Sequence, residues 1–444
     1  MAVREPVSVV LAVLSLAMAG CDDDERGGPA AAVSSPPSDG PSAPQEAAPA
    51  LATPAPLHGR ARNAVVILID TLRADALDHA ATPNVDALAA RGLVIERAWS
   101  TSTWTVPAVV SLFTGSFLRT HGWDLPTGDM KQRPALPPLP TLAEVLHEAG
   151  FQTHGLYANG YLAAELGFSR GFDEWRRSAD RRMPQQVAEH VRAWQADTQR
   201  HFLYLHLLGI HSGLSPSAEA QERHHLDPAW FTERVGLLIG RAKRNEPGAR
   251  DAYRDAYQAV VEDLDGILGE ILAGLAPVQD ETLIVLLSDH GEELGETGVF
   301  GHGWSVAEAL THIPVIAAGP GIPHAYRPTG SLAEVTDLVT DALGVEHAWP
   351  VQSPYEGPLA SERHGKLAIL ADGRFKGAWS GAERTLVDLQ ADPAGLQATA
   401  EGGAEVDAAL REWRAATPEG APLTGSVELD PRTIEALKAL GYIE

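Results

Sequence analysis

Cysteine is all but missing: Cys21 is the only one in 444 residues. One thiol allows no intrachain disulfide and no cysteine-based zinc cluster. Any metal site must therefore draw on carboxylates and on the 17 histidines. Positive charge is also scarce. Lys and Arg total 34 against 59 Asp and Glu, a formal net charge of −25, and no basic run interrupts this balance. Without basic surface to displace phosphate counterions, no nucleic-acid partner is expected. Nor is there a Walker A loop or a GxGxxG behind a strand-like run, so the chain carries no nucleotide-binding fingerprint. What remains is ordinary globular material, 44 % hydrophobic and 21 % charged, enough for a substantial core. The length suits two or three domains, or one large α/β domain with an appendage.

The first 20 residues read as an export signal. Arg4 gives a charged start, and Val7–Ala19 is an apolar run too short to span a bilayer. The segment Met18-Ala19-Gly20-Cys21 resembles a bacterial lipobox, so Cys21 is expected to carry lipid and to anchor the chain to a membrane surface without a spanning helix. The expected location is the cell envelope, periplasmic or surface. Residues 21–60 then read as a tether. Gly27–Leu57 holds eight prolines and no aromatic residue, which is too little apolar surface to offset ordering entropy.

From Asn63 onward, apolar runs of strand length alternate with amphipathic stretches. The runs AVVILI (64–69), FLYLHLL (202–208), TLIVLLS (282–288) and IPVIAA (313–318) suit strands buried on both faces of a sheet. Pro83–Gly92 is bracketed as a helix, Thr141 with Glu144 reads as a capping box, and Asp251–Leu275 is a long helix. The expected fold is α/β, a mainly parallel sheet covered by helices on both faces. The texture changes near Gly344. KLAIL, GRFKGAW and RTLVDL predict a small antiparallel sheet, and Ile434–Tyr442 a terminal helix. The main α/β region is thus 61–345 and a C-terminal subdomain 346–444.

Ligands of open α/β sheets bind at the carboxyl ends of the strands. Three runs lead into metal-capable residues there: AVVILI into Asp70, TLIVLLS into Asp289-His290, and FLYLHLL toward His211. Carboxylates with one imidazole suit a divalent cation such as Zn²⁺ or Mn²⁺. Thr105 precedes Pro107, which is placed to open a helix running to Gly115. A helix N-terminus stabilises an anion, so Thr105 is either a plain cap or a metal-activated nucleophile. Arg73 and Asp75 are expected to pair and position the loop after Asp70, and His224-His225 to be surface.

These residues resemble a family. NAVVILIDTLRAD (63–75), STWTVPAVVSLFTG (102–115), SDHGEELGETGVFGHG (288–303) and IPVIAAGPGI (313–322) are similar to the sulfatase branch of the alkaline-phosphatase superfamily. LVDLQADP (386–393) and LKALGYI (437–443) resemble its tail signatures. The resemblance implies a catalytic domain over 61–345 with a small α+β subdomain behind it. It also implies hydrolysis or transfer of sulfate or phosphate-type esters through a covalent intermediate, with one divalent metal ion (Zn, Mn or Ca). Carried over, Asp70, Asp289 and His290 match metal ligands, and Thr105 matches the nucleophile and a further ligand. His211 and His302 match histidines at the leaving group, and Asn159 falls on a substrate-binding position.

The chain also departs from arylsulfatases. Their Cys/Ser-x-Pro-x-Arg signature, oxidised to formylglycine, reads Thr105-Val106-Pro107-Ala108-Val109 here. The second Asp of their Asp-Asp pair is Thr71, their Lys-Trp-His is Asn159-Gly160-Tyr161, and their Asp-Pro-His segment is Gly209-Ile210-His211. A Tyr usual before Glu308 is Ala307. A Thr nucleophile with an Asp-His pair is closer to the phosphoryl-type members. Three readings follow: an ester hydrolase using Thr105, a phosphoethanolamine-type transferase acting on envelope lipids or glycans, and a degenerate sulfatase-like binding protein. The expected partner is a small-molecule, glycan or lipid ester.

Overall fold

A computed structural model describes residues 59–124, 132–211, 214–231, 237–420, 423 and 427–439. The signal segment, Cys21 and most of the tether lie outside the described residues. The elements used below are, for strands, β1 (Asn63–Ile69), β2 (Leu93–Trp99), β3 (Phe151–Tyr157), β4 (Glu174–Arg177), β5 (Arg200–Leu207), β6 (Thr282–Leu287), β7 (His312–Ile313), β8 (Val315–Ala318) and β9 (Ala325–Ser331). The C-terminal strands are β10 (Leu359–Arg363), β11 (Lys366–Ala371), β12 (Phe375–Ser380) and β13 (Glu383–Asp388). The helices are α1 (Pro83–Ala89), α2 (Thr105–Thr114), α3 (Leu142–Glu148), α4 (Met183–Ala196), α5 (Ala249–Leu275), α6 (Val335–Leu343), α7 (Gly403–Ala416) and α8 (Pro431–Ala439).

β1 to β9 form one nine-stranded sheet in the order β7-β2-β8-β6-β1-β5-β3-β4, with β9 also on β2. β1 lies parallel between β5 and β6, and the register sets Leu68 opposite both His206 and Leu287. Three strand ends therefore open on one rim. β7 and β8 run antiparallel to their neighbours. The run 313–318, read as one strand, is broken at Pro314, which has no N–H to give the ladder.

β1 is buried along its whole length, and alternate side chains feed opposite cores. Ala64, Val66 and Leu68 pack with Val106 and Val110 of α2, Leu142 and Leu146 of α3, and Leu338 of α6. Val65, Ile67 and Ile69 pack with Val85 of α1, Val187 of α4, and Ala256, Val260 and Leu264 of α5. α3 begins with the expected capping box, Thr141 and Glu144 each bonding the other's backbone N–H. α1 stops at Ala89, short of Gly92. Gly92 serves a different purpose from a cap: a Cβ there would lie 2.3 Å from the Ala317 carbonyl oxygen, so the chain needs glycine to reach β8. Gly115 does end α2 in the left-handed conformation, φ 56°.

The C-terminal sheet is a meander β10-β11-β12-β13. Its first strand, β10, escaped the sequence reading, as did α7, whose Val406, Ala409 and Trp413 pack on Ile369 and Ala371. β10 docks on the loop before α2, Glu362 N–H donating to Thr101 O and Ser102 Oγ donating to Glu362 O. No described helix is long and apolar enough to cross a membrane.

The turn after β1 is clamped by α5. Tyr257 Oη donates to Thr71 O at 2.7 Å and accepts from Arg73 N–H at 3.0 Å. Removing one hydroxyl leaves two buried backbone groups unpaired, at about 1–3 kcal/mol. Tyr257→Phe should accordingly lower the urea midpoint with little change in far-UV circular dichroism. An unchanged midpoint would mean the clamp carries no stability.

Candidate metal centre and nucleophile

Asp70 follows β1 and is wholly buried, as are Asp289 and His290 after β6 and Thr105 at the start of α2. Ligand atoms of Asp70, Asp289 and His290 lie within 4.8 Å of one another. His290 Nε2 is 3.9 Å from Asp70 Oδ1 and 3.5 Å from Asp289 Oδ2. Its Nδ1–H donates to Gly291 O at 2.8 Å, which turns the Nε2 lone pair toward the carboxylates. Thr105 Oγ1 is 3.4 Å from Asp70 Oδ2 and 3.4 Å from His290 Nε2. Thr105 is the first residue of α2, and its N-cap is Trp104, so the hydroxyl does not cap the helix. It stands at the positive end of ten helical residues.

The remaining lone pairs show what the site wants. Asp70 Oδ2 accepts from His206 Nε2–H at 3.1 Å and from Asn159 Nδ2 at 2.8 Å. Asp289 Oδ1 accepts from the backbone N–H of Thr71 at 3.2 Å and of His290 at 2.9 Å. The other oxygen of each, Asp70 Oδ1 and Asp289 Oδ2, is buried with no hydrogen-bond partner. Burial opposes ionisation of Asp70, but the His206 bond and charge outweigh it and hold that carboxyl far below the usual range. Burial and the neighbouring Asp70 charge push Asp289 well above it. Two orphaned carboxylate oxygens, an imidazole lone pair and a hydroxyl make a donor set that fits one divalent cation.

The other predicted residues gather around this centre. His302 lies with its ring centre 4.5 Å from that of His290 and 5.0 Å from that of His211. His302 Nδ1 is 2.7 Å from Glu292 Oε2. Burial, with His290 nearby, lowers His302 to about 3, and burial with His302 nearby lowers His211 to about 4. Asn159, expected at the substrate, spends its closest bond on Asp70 and reaches Thr105 Oγ1 only at 3.5 Å. Arg73 pairs with Asp75 at 2.6 Å, as expected, and also with Glu296 at 2.5 Å. Of the two surface histidines, His224 is partly covered and bonds Glu262 at 3.0 Å.

Sequence reasoning missed His206, which Tyr204 Oη braces at Nδ1, 3.1 Å. The signal was available as one histidine inside the apolar run FLYLHLL. It also missed Glu292 and Ser288. Ser288 Oγ accepts from Leu72 N–H at 3.0 Å and donates to His290 O at 2.7 Å, tying the two loops together.

A family model described as "Sulfatase" matches residues 62–345. The choline-sulfatase of Rhizobium meliloti is 31 % identical over 174 residues, 33 % of this chain and 33 % of that protein. Arylsulfatase K of Rattus norvegicus is 23 % identical over 321 residues, 59 % of this chain and 55 % of that one. The chain thus spans less than two thirds of the length of these curated relatives. Among solved structures, a 2-O GAG sulfatase superposes with a TM-score of 0.63 at 18 % identity, covering 84 % of this chain and 96 % of that one. The phosphonate monoester hydrolase of Silicibacter pomeroyi gives 0.63 at 19 %, covering 80 % and 94 %. At such identities the likeness speaks for the fold alone.

The donor set yields a direct test. Asp289→Asn removes one orphaned carboxylate oxygen and one negative charge. The purified variant should hold about one equivalent of divalent metal less than the parent by elemental analysis, and retention of the full amount would exclude Asp289 as a ligand.

Proposed function

We propose that this chain, which belongs to the sulfatase family, is a metal-dependent hydrolase of sulfate or phosphate-type esters in which Thr105 is the covalent nucleophile. The observation that carries this reading is the Thr105 hydroxyl, 3.4 Å from both Asp70 and His290 at a helix N-terminus, beside two orphaned carboxylate oxygens. Asp70, Asp289, His290 and Thr105 would hold the cation. When bound, such a cation supplies Lewis-acid stabilisation of charge on a non-bridging oxygen and favours the ionised hydroxyl.

Thr105 Oγ1 gives its proton to solvent and forms a bond to the sulfur or phosphorus centre as the bond to the leaving alcohol oxygen breaks. The N-terminal N–H groups of α2 face the anion. His302 and His211 stand neutral in the free protein. The negative charge of a seated ester raises both, since an opposite charge favours the imidazolium. One of them then gives its proton to the leaving oxygen, and His302 is held for this by Glu292. Water next cleaves the Thr ester, which returns the Thr105 hydroxyl and releases sulfate or phosphate, or a phosphate monoester or phosphonate where the substrate is a phosphodiester or phosphonate ester. Asn159 and His206 act through Asp70, fixing the oxygen that faces Thr105. The absence of the Cys/Ser-x-Pro-x-Arg signature supports an unmodified threonine over formylglycine, and the phosphonate monoester hydrolase among the fold neighbours keeps phosphorus esters in the substrate class.

The reading extends to location: lipid on Cys21 holds the domain at a cell-envelope surface, where glycan or lipid esters are within reach.

Thr105→Ala should abolish turnover across aryl sulfates, phosphomonoesters, phosphodiesters and phosphonates while keeping the parent circular dichroism, and Thr105→Ser should retain measurable activity. Undiminished turnover by Thr105→Ala removes Thr105 from the reaction. Cys21→Ala, expressed from the full chain in a bacterial host, should move the protein from the membrane to the soluble fraction. Continued membrane association would rule out the lipid anchor.

A further inference from the structure

A second group of metal-capable side chains lies two strands away from β1. His154 is on β3 and Glu174 on β4, the edge strand, and the register sets them directly opposite each other. His190 comes from α4. The three ligand atoms lie within 4.8 Å of one another. His154 Nδ1 is 3.5 Å and His190 Nε2 4.0 Å from the same oxygen, Glu174 Oε2. The two rings are centred 4.6 Å apart. His154 Nδ1 is buried and makes no hydrogen bond. The other carboxylate oxygen, Glu174 Oε1, faces Arg176 Nε at 3.4 Å, which leaves Oε2 to the histidines.

Two imidazoles and a carboxylate are the three protein ligands of an open zinc site, with water in the fourth position. Ligand bonds of about 2.0–2.1 Å in a tetrahedron place neighbouring donors about 3.3 Å apart. The separations of 3.5 and 4.0 Å lie within a small rotamer adjustment of that value. The side chains are 18 %, 38 % and 13 % exposed for His154, Glu174 and His190, so an ion can enter from solvent. The usual alternative for such a trio is a hydrogen-bonded His–Glu pair, yet both contacts to Oε2 are longer than a normal hydrogen bond.

We infer that His154, Glu174 and His190 form a second, non-catalytic site for a divalent cation of the Zn²⁺ class, which ties β3 and the edge strand β4 to α4. The site is separate from the Asp70 centre and stands whether or not Thr105 is the nucleophile.

The test uses the full chain, stripped with chelator and titrated with Zn²⁺ alone by calorimetry, with bound metal counted by atomic absorption. The wild type should hold one more equivalent than His190→Ala or Glu174→Gln, and both variants should hydrolyse esters at the wild-type rate. Folded variants that bind the wild-type amount of Zn²⁺ overturn the site. A second arm does not depend on those variants folding. An Asp70→Asn/Asp289→Asn protein, in which the three side chains are intact, should still take up one equivalent and melt at a higher temperature with Zn²⁺ than without. Absence of Zn²⁺ uptake by that protein, folded by circular dichroism, equally overturns the site.

Discussion

Two buried carboxylates face each other at the rim of the sheet, and the side chains around them are arranged to make that tolerable. Taking one unpaired carboxylate out of water costs several kcal/mol even after relaxation, and a like charge beside it adds to the cost. Asp70 and Asp289 are both fully buried. The chain answers on one side only. His206 and Asn159 cover one oxygen of Asp70, and two backbone N–H groups cover one oxygen of Asp289. The uncovered oxygens are the ones that need a cation. The same pair sets the position of everything else, because Thr105, His290 and, behind them, His302 are packed around it.

Holding Asp70 in place requires a backbone that its neighbour does not favour. Thr71 has φ 62°, a left-handed conformation that costs a β-branched residue about 1–3 kcal/mol. It persists because the turn is over-determined. Its N–H goes to Asp289, its carbonyl to Tyr257, and the next N–H to Ser288. Arg73 then bonds Asp75, Glu296 and the Glu292 carbonyl, joining the loops after β1 and β6 from beneath. The strained turn and the ion pairs are thus one device, which fixes two carboxylates from distant parts of the chain against each other.

Much of this was legible in the residues. Continuous apolar runs ending in Asp70 and Asp289-His290 gave both the buried parallel strands and the rim that gathers their ends, because parallel strands in register must bring their carboxyl ends to one side. Pro107, read as opening a helix, is the third residue of α2, which starts two residues earlier at Thr105. The misses have local causes. His206 stood out as the one histidine of the apolar run FLYLHLL, but only the fold shows that its partner is Asp70. Tyr257 lies within the long helix read at 251–275, and only the tertiary fold reveals that its hydroxyl meets Thr71. Helix α7 carries a regular apolar face, Val406, Ala409 and Trp413, that the reading passed over, whereas the mixed sequence LASER of β10 owes its order to pairing with β11 and docking on the loop before α2. Pro314 split a run that composition alone presented as one strand.

The departures from the arylsulfatase pattern bear on how the proposed reaction would discriminate transition state from ground state. Where that pattern has arginine, Val109 is fully buried in the core of α2, and Asn159 brings a neutral amide to Asp70. Arg363 stacks over Trp104 at 4.7 Å but gives its charge to Asp124. Among the described residues, then, no lysine or arginine bonds Thr105. A guanidinium on the transferring group would also stabilise the charge that develops there. Without one, the positive charge at Thr105 reduces to the α2 N-terminus and whatever cation the carboxylates hold. Both bear on the atoms where charge develops, so their contribution grows as the ester bond breaks. On this reading the α2 N-terminus and the cation carry the charge stabilisation that the arylsulfatase pattern shares with a basic side chain.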